Sequence, residues 1–120
     1  MPHTIAFDAA DKRIVVTVTS PVTHQDALRC LREMRMHPEF RSDYGLLFNM
    51  LEADTSGYPN ASEAVQFGEL VKVFFTGQKL AVVASHALTT EWGFMSVTAA
   101  PSAALRLFPT LNEASAWLAN

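Results

Sequence analysis

Residues able to do chemistry are sparse in this chain of 120 residues. The four histidines, His3, His24, His37 and His86, are scattered. No two have the four-residue spacing that sets a pair of imidazoles on one helical face for a metal ion. Cys30 is the single cysteine, so neither an intramolecular disulfide nor a paired thiolate site can form. Glu52 and Asp54 stand two apart and could meet, as paired carboxylates must for acid–base work, but acidic residues are equally ordinary in loops. Asp54-Thr55-Ser56-Gly57 puts two hydroxyls between a carboxylate and a glycine. All four residue types also favour turns. Arg29, Arg32 and Arg35 recur at three-residue spacing and could take a phosphate or an acidic partner. With Glu33 and Glu39 close by, the same run reads as a solvated helix face. Nothing resembles a Gly-rich phosphate loop, a nucleophile elbow or a Cys-His pair with an orienting third group. The expectation is a non-enzymatic chain with no catalytic residues, no metal site and no cofactor. A site assembled from distant residues would leave no such motif.

Composition narrows the partners. Hydrophobic residues make up 49% of the chain and charged ones 18%, so it is built to bury a core rather than to stay disordered. Its length is that of one domain, residues 1–120, large enough to fold without disulfides or metals. A net charge of −3 and a pI near 5.7 argue against a nucleic-acid partner, which calls for a basic surface. No apolar run approaches the length of a transmembrane segment. Met1-Pro2-His3-Thr4 lacks the basic and apolar stretches of a signal peptide. A cytoplasmic location is the resulting expectation.

These residues need elements to hold them. Ile5 to Asp8 is a candidate strand, residues 8–12 a turn, and the β-branched run Arg13 to Thr19 a second strand antiparallel to the first. Ser20-Pro21 breaks it. Thr23 and Asp26 then form a capping box for a helix reaching about His37, with Ala27, Leu31 and Met34 at helical spacing, and Pro38 ends it. Leu46 to Leu51, after Gly45, is a continuous apolar run that suits a central strand buried on both faces. A second helix follows from Asn60 to about Phe75 and stops at Gly77. Lys79 to Ser85 is another buried strand. Leu88, Trp92, Met95 and Ala99 form a helical stripe closed by Pro101. Leu105 to Phe108 is a last strand, and Thr110 with Glu113 caps a final helix. The order β-β-α-β-α-β-α-β-α predicts an α/β fold with a mixed, mostly parallel five-stranded sheet and four helices.

Two of these helices carry more apolar surface than one sheet contact needs. On the second, Phe67, Leu70, Val71, Phe74 and Phe75 fall within an arc of roughly 160°, against the ~100° usual for a surface helix, and Val65 and Val73 widen it. Neighbouring helices would cover this face in a self-contained core. Otherwise it is a homodimer interface or the lining of a pocket for an apolar molecule or lipid. On the third, Trp92 and Met95 belong to the core stripe while Phe94 points elsewhere, and Glu91 is its only charge. Core packing explains that helix, as does a partner, a bound apolar molecule or a membrane surface.

This order of elements resembles STAS domains, the fold of anti-sigma-factor antagonists and sulfate-transporter tails. It is more similar still to the SpoIIAA-like family of small bacterial proteins, itself compared with the CRAL-TRIO lipid-binding fold. Three features carry the resemblance. Thr23-His24-Gln25-Asp26 enters a helix ending at His37-Pro38-Glu39-Phe40. The strand from Gly45 to Leu51 precedes an acidic loop. Leu107-Phe108 is followed by Asn112-Glu113-Ala114-Ser115-Ala116-Trp117-Leu118. The resemblance implies a regulatory or protein-binding module. STAS antagonists carry an Asp-Ser-Ser-Gly-like motif at a helix start, where a kinase phosphorylates one hydroxyl. Carried over, Ser56 or Thr55 is the acceptor, with Asp54 beside it. In this chain Tyr58-Pro59-Asn60 separates the motif from the expected helix cap. The resemblance implies another protein as partner, while the surplus apolar faces add a second copy of the chain, or an apolar ligand held between the helices at 61–75 and 88–100.

Overall fold

Alternation of β-branched residues sets the first face of the sheet. Strand β2 (Arg13–Val18) buries Ile14, Val16 and Val18 completely, with Arg13, Val15 and Thr17 half-covered on the other side. Strand β1 (His3–Asp8) pairs with it antiparallel, placing Ile5 across from Val16 and Phe7 across from Ile14. Between them the Asp8 carboxylate accepts the Asp11 N–H at 3.1 Å, and Lys12 takes the left-handed conformation that closes the turn.

In the computed structural model, residues 3–19, 23–53, 61–75, 77–84 and 104–119 are described. Three further strands, β3 (Gly45–Asn49), β4 (Lys79–Val83) and β5 (Ala104–Phe108), continue the sheet in the order β1-β2-β3-β4-β5. All pairs after the first are parallel, with Leu46 beside Leu80 and Phe48 beside Val82. The expected mixed, mostly parallel five-stranded sheet is present. Three helices are present among the described residues: α1 (His24–Met36), α2 (Ala61–Phe74) and α3 (Leu111–Ala119). The expected helix at 88–100 lies outside the described residues.

Each sheet face has its own helices. Ile14, Val16, Leu46, Phe48, Leu80 and Val82 point to one side, where Ala27, Cys30, Leu31 and Met34 of α1 and Phe67, Val71 and the adjoining Phe75 of α2 complete the larger core. Leu47, Ala81 and Val83 point to the other, against Ala114 of α3, with Trp117 and Leu118 packed alongside. Gly45 permits the close approach of α3, since a Cβ there would meet Leu118 Cδ2 at 3.1 Å. The last turn of α3 contains no basic residue, so the strands supply the cations that helix-end carbonyls favour. Lys79 Nζ donates to the Trp117 carbonyl at 3.2 Å and Arg13 to that of Ser115 at 3.4 Å.

The helix ends follow local chemistry. The Thr23 hydroxyl accepts the Asp26 N–H at 3.2 Å, as the capping box requires. A side-chain hydrogen bond from Thr23 in turn holds the Asp26 carboxyl below its ordinary value of 3.8. That link contributes above 3.8 and is lost as the pH falls through the lowered value. The Thr110 hydroxyl accepts the Glu113 N–H at 3.2 Å, which starts α3 in the same way. Strand β3 is shorter than the apolar run Leu46 to Leu51. The Asn49 carboxamide oxygen accepts the Leu51 N–H at 3.3 Å, turning the chain so that Met50 stays buried while Leu51 is 44% exposed.

Past α2, Gly77 adopts φ +82° with nothing within 4 Å of where a Cβ would stand. Gly77→Ala therefore suffers backbone strain alone and should lose about 1–2 kcal/mol of stability in urea denaturation. An unchanged midpoint would mean that this turn is made in another way.

A candidate interaction surface

Helices α1 and α2 pack side by side on the larger core and leave a groove of about 320 Å³ between their outward faces. Leu28 of α1 and Leu70 of α2 are half-buried and form its floor, while Val65 and Val73 of α2 form an apolar wall. Val65 is 50% exposed and Val73 70%. Arg32, Gln66 and Glu69 give the groove a polar rim. At one end His24 Nε2 lies 2.7 Å from Gln66 Oε1, tying the first residue of α1 to α2. An apolar strip with a polar rim suits a partner surface or an apolar ligand.

The sequence candidates fall on both sides of this surface. Phe67, Val71 and Phe75 are buried in the core, and Leu70 and Phe74 are half-buried against it. Phe74 meets Phe75 edge-on at 6.2 Å, and Phe75 reaches Phe40 at 6.0 Å. The sheet and α1 thus absorb most of the broad apolar arc of α2, and its outward remainder is Val65 and Val73. Leu28 and Glu69 join them. Leu28 stands beside the main stripe of α1 and Glu69 on the polar stripe of α2, positions that by themselves marked neither as part of a site. Asp54, Thr55 and Ser56 lie outside the described residues, as do Trp92, Phe94 and Met95.

Other titratable groups serve local structure. His3 Nε2 is 2.9 Å from a Glu33 carboxylate oxygen. His37 stacks on Phe7 at 4.4 Å and its Nδ1 accepts the Glu39 N–H. The arginines at three-residue spacing do not converge. Arg29 pairs with Asp26 at 3.7 Å, Arg35 lies 4.9 Å above the Phe40 ring, and Arg32 turns toward the groove. Among the described residues no three His, Cys, Asp or Glu side chains are grouped to hold a metal ion. No helix among them is long and apolar enough to cross a membrane.

A second cavity, of about 410 Å³, opens at the amino ends of the parallel strands beside Lys12, Asp43, Gln78 and Lys79. Ligands of open α/β sheets bind at the opposite, carboxyl edge. Here the buried Gln78 side chain donates to the Tyr44 carbonyl at 2.8 Å and that of Arg41 at 3.4 Å. These bonds fasten the start of β4 to the connection before β3. Lys12 and Asp43 lie 3.9 Å apart, both largely exposed.

Cys30 is 2% exposed, and burial, with the Glu33 charge second, pushes its thiol up to about 12. The thiolate is the reactive form, so at neutral pH the folded protein should resist a thiol reagent and react only on unfolding. Rapid stoichiometric labelling of native protein would contradict the burial of α1 against the sheet.

No family model and no curated protein matches the sequence. A solved structure does match: an uncharacterized DUF3478-family protein from Shewanella loihica PV-4 with a SpoIIAA-like fold. The two chains share 16% identity over 97% of this chain and 93% of the other, with a TM-score of 0.62. Similarity over that span, joined to the hairpin, the parallel strands and the two-sided helix packing, gives this chain a SpoIIAA-like fold.

Proposed function

We propose that this protein is a non-catalytic regulatory module that works by binding another protein through the outward face of α1 and α2. The observation that carries this reading is the exposed apolar strip of Val65 and Val73 beside Leu28, set within a polar rim. An exposed strip of this kind is costly in water and is relieved by a partner. The SpoIIAA-like fold adds weight, since the resemblance to STAS antagonists implies the same class of role. The cytoplasm is the compartment we assign to it.

In this reading the Asp54-Thr55-Ser56-Gly57 segment is the switch. It precedes α2 in the chain. A phosphate on Ser56 or Thr55 adds about −1.5 to −2 charges at neutral pH to the segment that leads, along the chain, into the helix presenting the apolar strip. Ser56→Asp should abolish capture of the cognate partner, while Ser56→Ala keeps it. Equal binding by both variants would remove the switch.

An apolar ligand is the second reading, favoured by the apolar floor and wall of the α1–α2 groove. The pocket expected between α2 and residues 88–100 lies outside the described residues. A carrier should retain a fatty acid or similar molecule through purification, visible by native mass spectrometry. A protein that is empty, and stays empty when offered fatty acids, would exclude this role.

A further inference from the structure

We infer that the α1–α2 face joins two copies of this chain in a two-fold dimer, with Arg32 of each copy meeting Glu69 of the other. The inference rests on reading this face as the interaction surface, and it names the occupant.

Helices α1 and α2 each follow one strand of the parallel set and return antiparallel to it, so they run in the same direction. Each presents an outward stripe at four-residue spacing. On α1 the stripe is Leu28, Arg32 and Met36, and on α2 it is Val65, Glu69 and Val73. Both have one charge between two apolar residues, and the two charges are opposite. Arg32 and Glu69 are exposed, and neither makes an ion pair with another described residue. Met36 at 80% and Val73 at 70% are the most exposed large apolar side chains described.

This arrangement is complementary to itself, as an isologous interface must be. A two-fold axis along the helices lays α1 of one copy over α2 of the other. Arg32 then faces Glu69 twice, and apolar residues face apolar residues on either side. A two-fold axis across the helices would lay α1 over α1 and oppose Arg32 to Arg32, which like-charge repulsion disfavours. Charge pattern therefore selects both the occupant and its orientation.

Charge reversal tests this directly, because both positions are exposed and the substitutions spare the core. Sedimentation velocity of the full chain at low ionic strength should show a dimer. Arg32→Glu alone and Glu69→Arg alone should each weaken it by about tenfold or more, with unchanged circular dichroism. Mixing the two variants should restore a one-to-one heterodimer, since one then carries two acids and the other two bases at the facing positions. The double variant should also dimerise. Val73→Glu, which places a charge in the apolar strip, should give a folded monomer. A chain that is monomeric across the concentration range, or a dimer indifferent to both reversals, overturns the inference. Failure of the mixed variants to associate also overturns it. A monomer that still captures another protein in a Ser56-dependent way would overturn the dimer and leave the proposed function standing.

Discussion

The parallel pairing of β3 with β4 is the constraint on which the rest of this molecule depends. Both strands are covered on both faces, and their side chains alternate strictly. Leu46, Phe48, Leu80 and Val82 serve the larger core, while Leu47, Ala81 and Val83 serve the smaller. Removing one of these leucine, valine or phenylalanine side chains from water contributes roughly 1.5–3 kcal/mol. A slip of one residue would send every one of them to the wrong face. The register is thus fixed by two cores at once, and it decides where each helix can sit.

Helix placement follows. From β2 to β3 to β4 the chain steps across the sheet in one direction. Right-handed crossovers then deliver α1 and α2 to the same face, where they pack beside each other and leave the groove between their outer sides. Helix α3, arriving after β5, takes the opposite face. It is held there by Trp117 against Phe108 at 5.6 Å and by the cations of Lys79 and Arg13 on its final carbonyls. The exposed face of α1 and α2 is in this sense a product of strand order.

Much of this was legible in the sequence because it rests on local signals. The β-branched run from Arg13, the capping pairs Thr23 with Asp26 and Thr110 with Glu113, and the glycine after α2 each mark a boundary through nearby chemistry. The end of β3 was less legible. Nothing in Leu46 to Leu51 taken as an apolar run says that the Asn49 side chain captures the Leu51 N–H and turns the chain. The apolar arc of α2 was visible, but its division was not. Whether Phe67 or Val73 faces the core depends on how far α1 and the sheet wrap around the helix, and helical spacing alone does not contain that. Leu28 and Glu69 gained meaning only when two helices distant in sequence came together. The hydroxyls of Thr55 and Ser56 and the aromatic stripe at Trp92 remain proposals drawn from the sequence.

Inter-strand nuclear Overhauser contacts between backbone protons of β3 and β4 test the central pairing most directly. The expected pattern is parallel and sets Leu46 beside Leu80 and Phe48 beside Val82. A pattern displaced by one residue, or an antiparallel one, would contradict it, and with it the common face of α1 and α2.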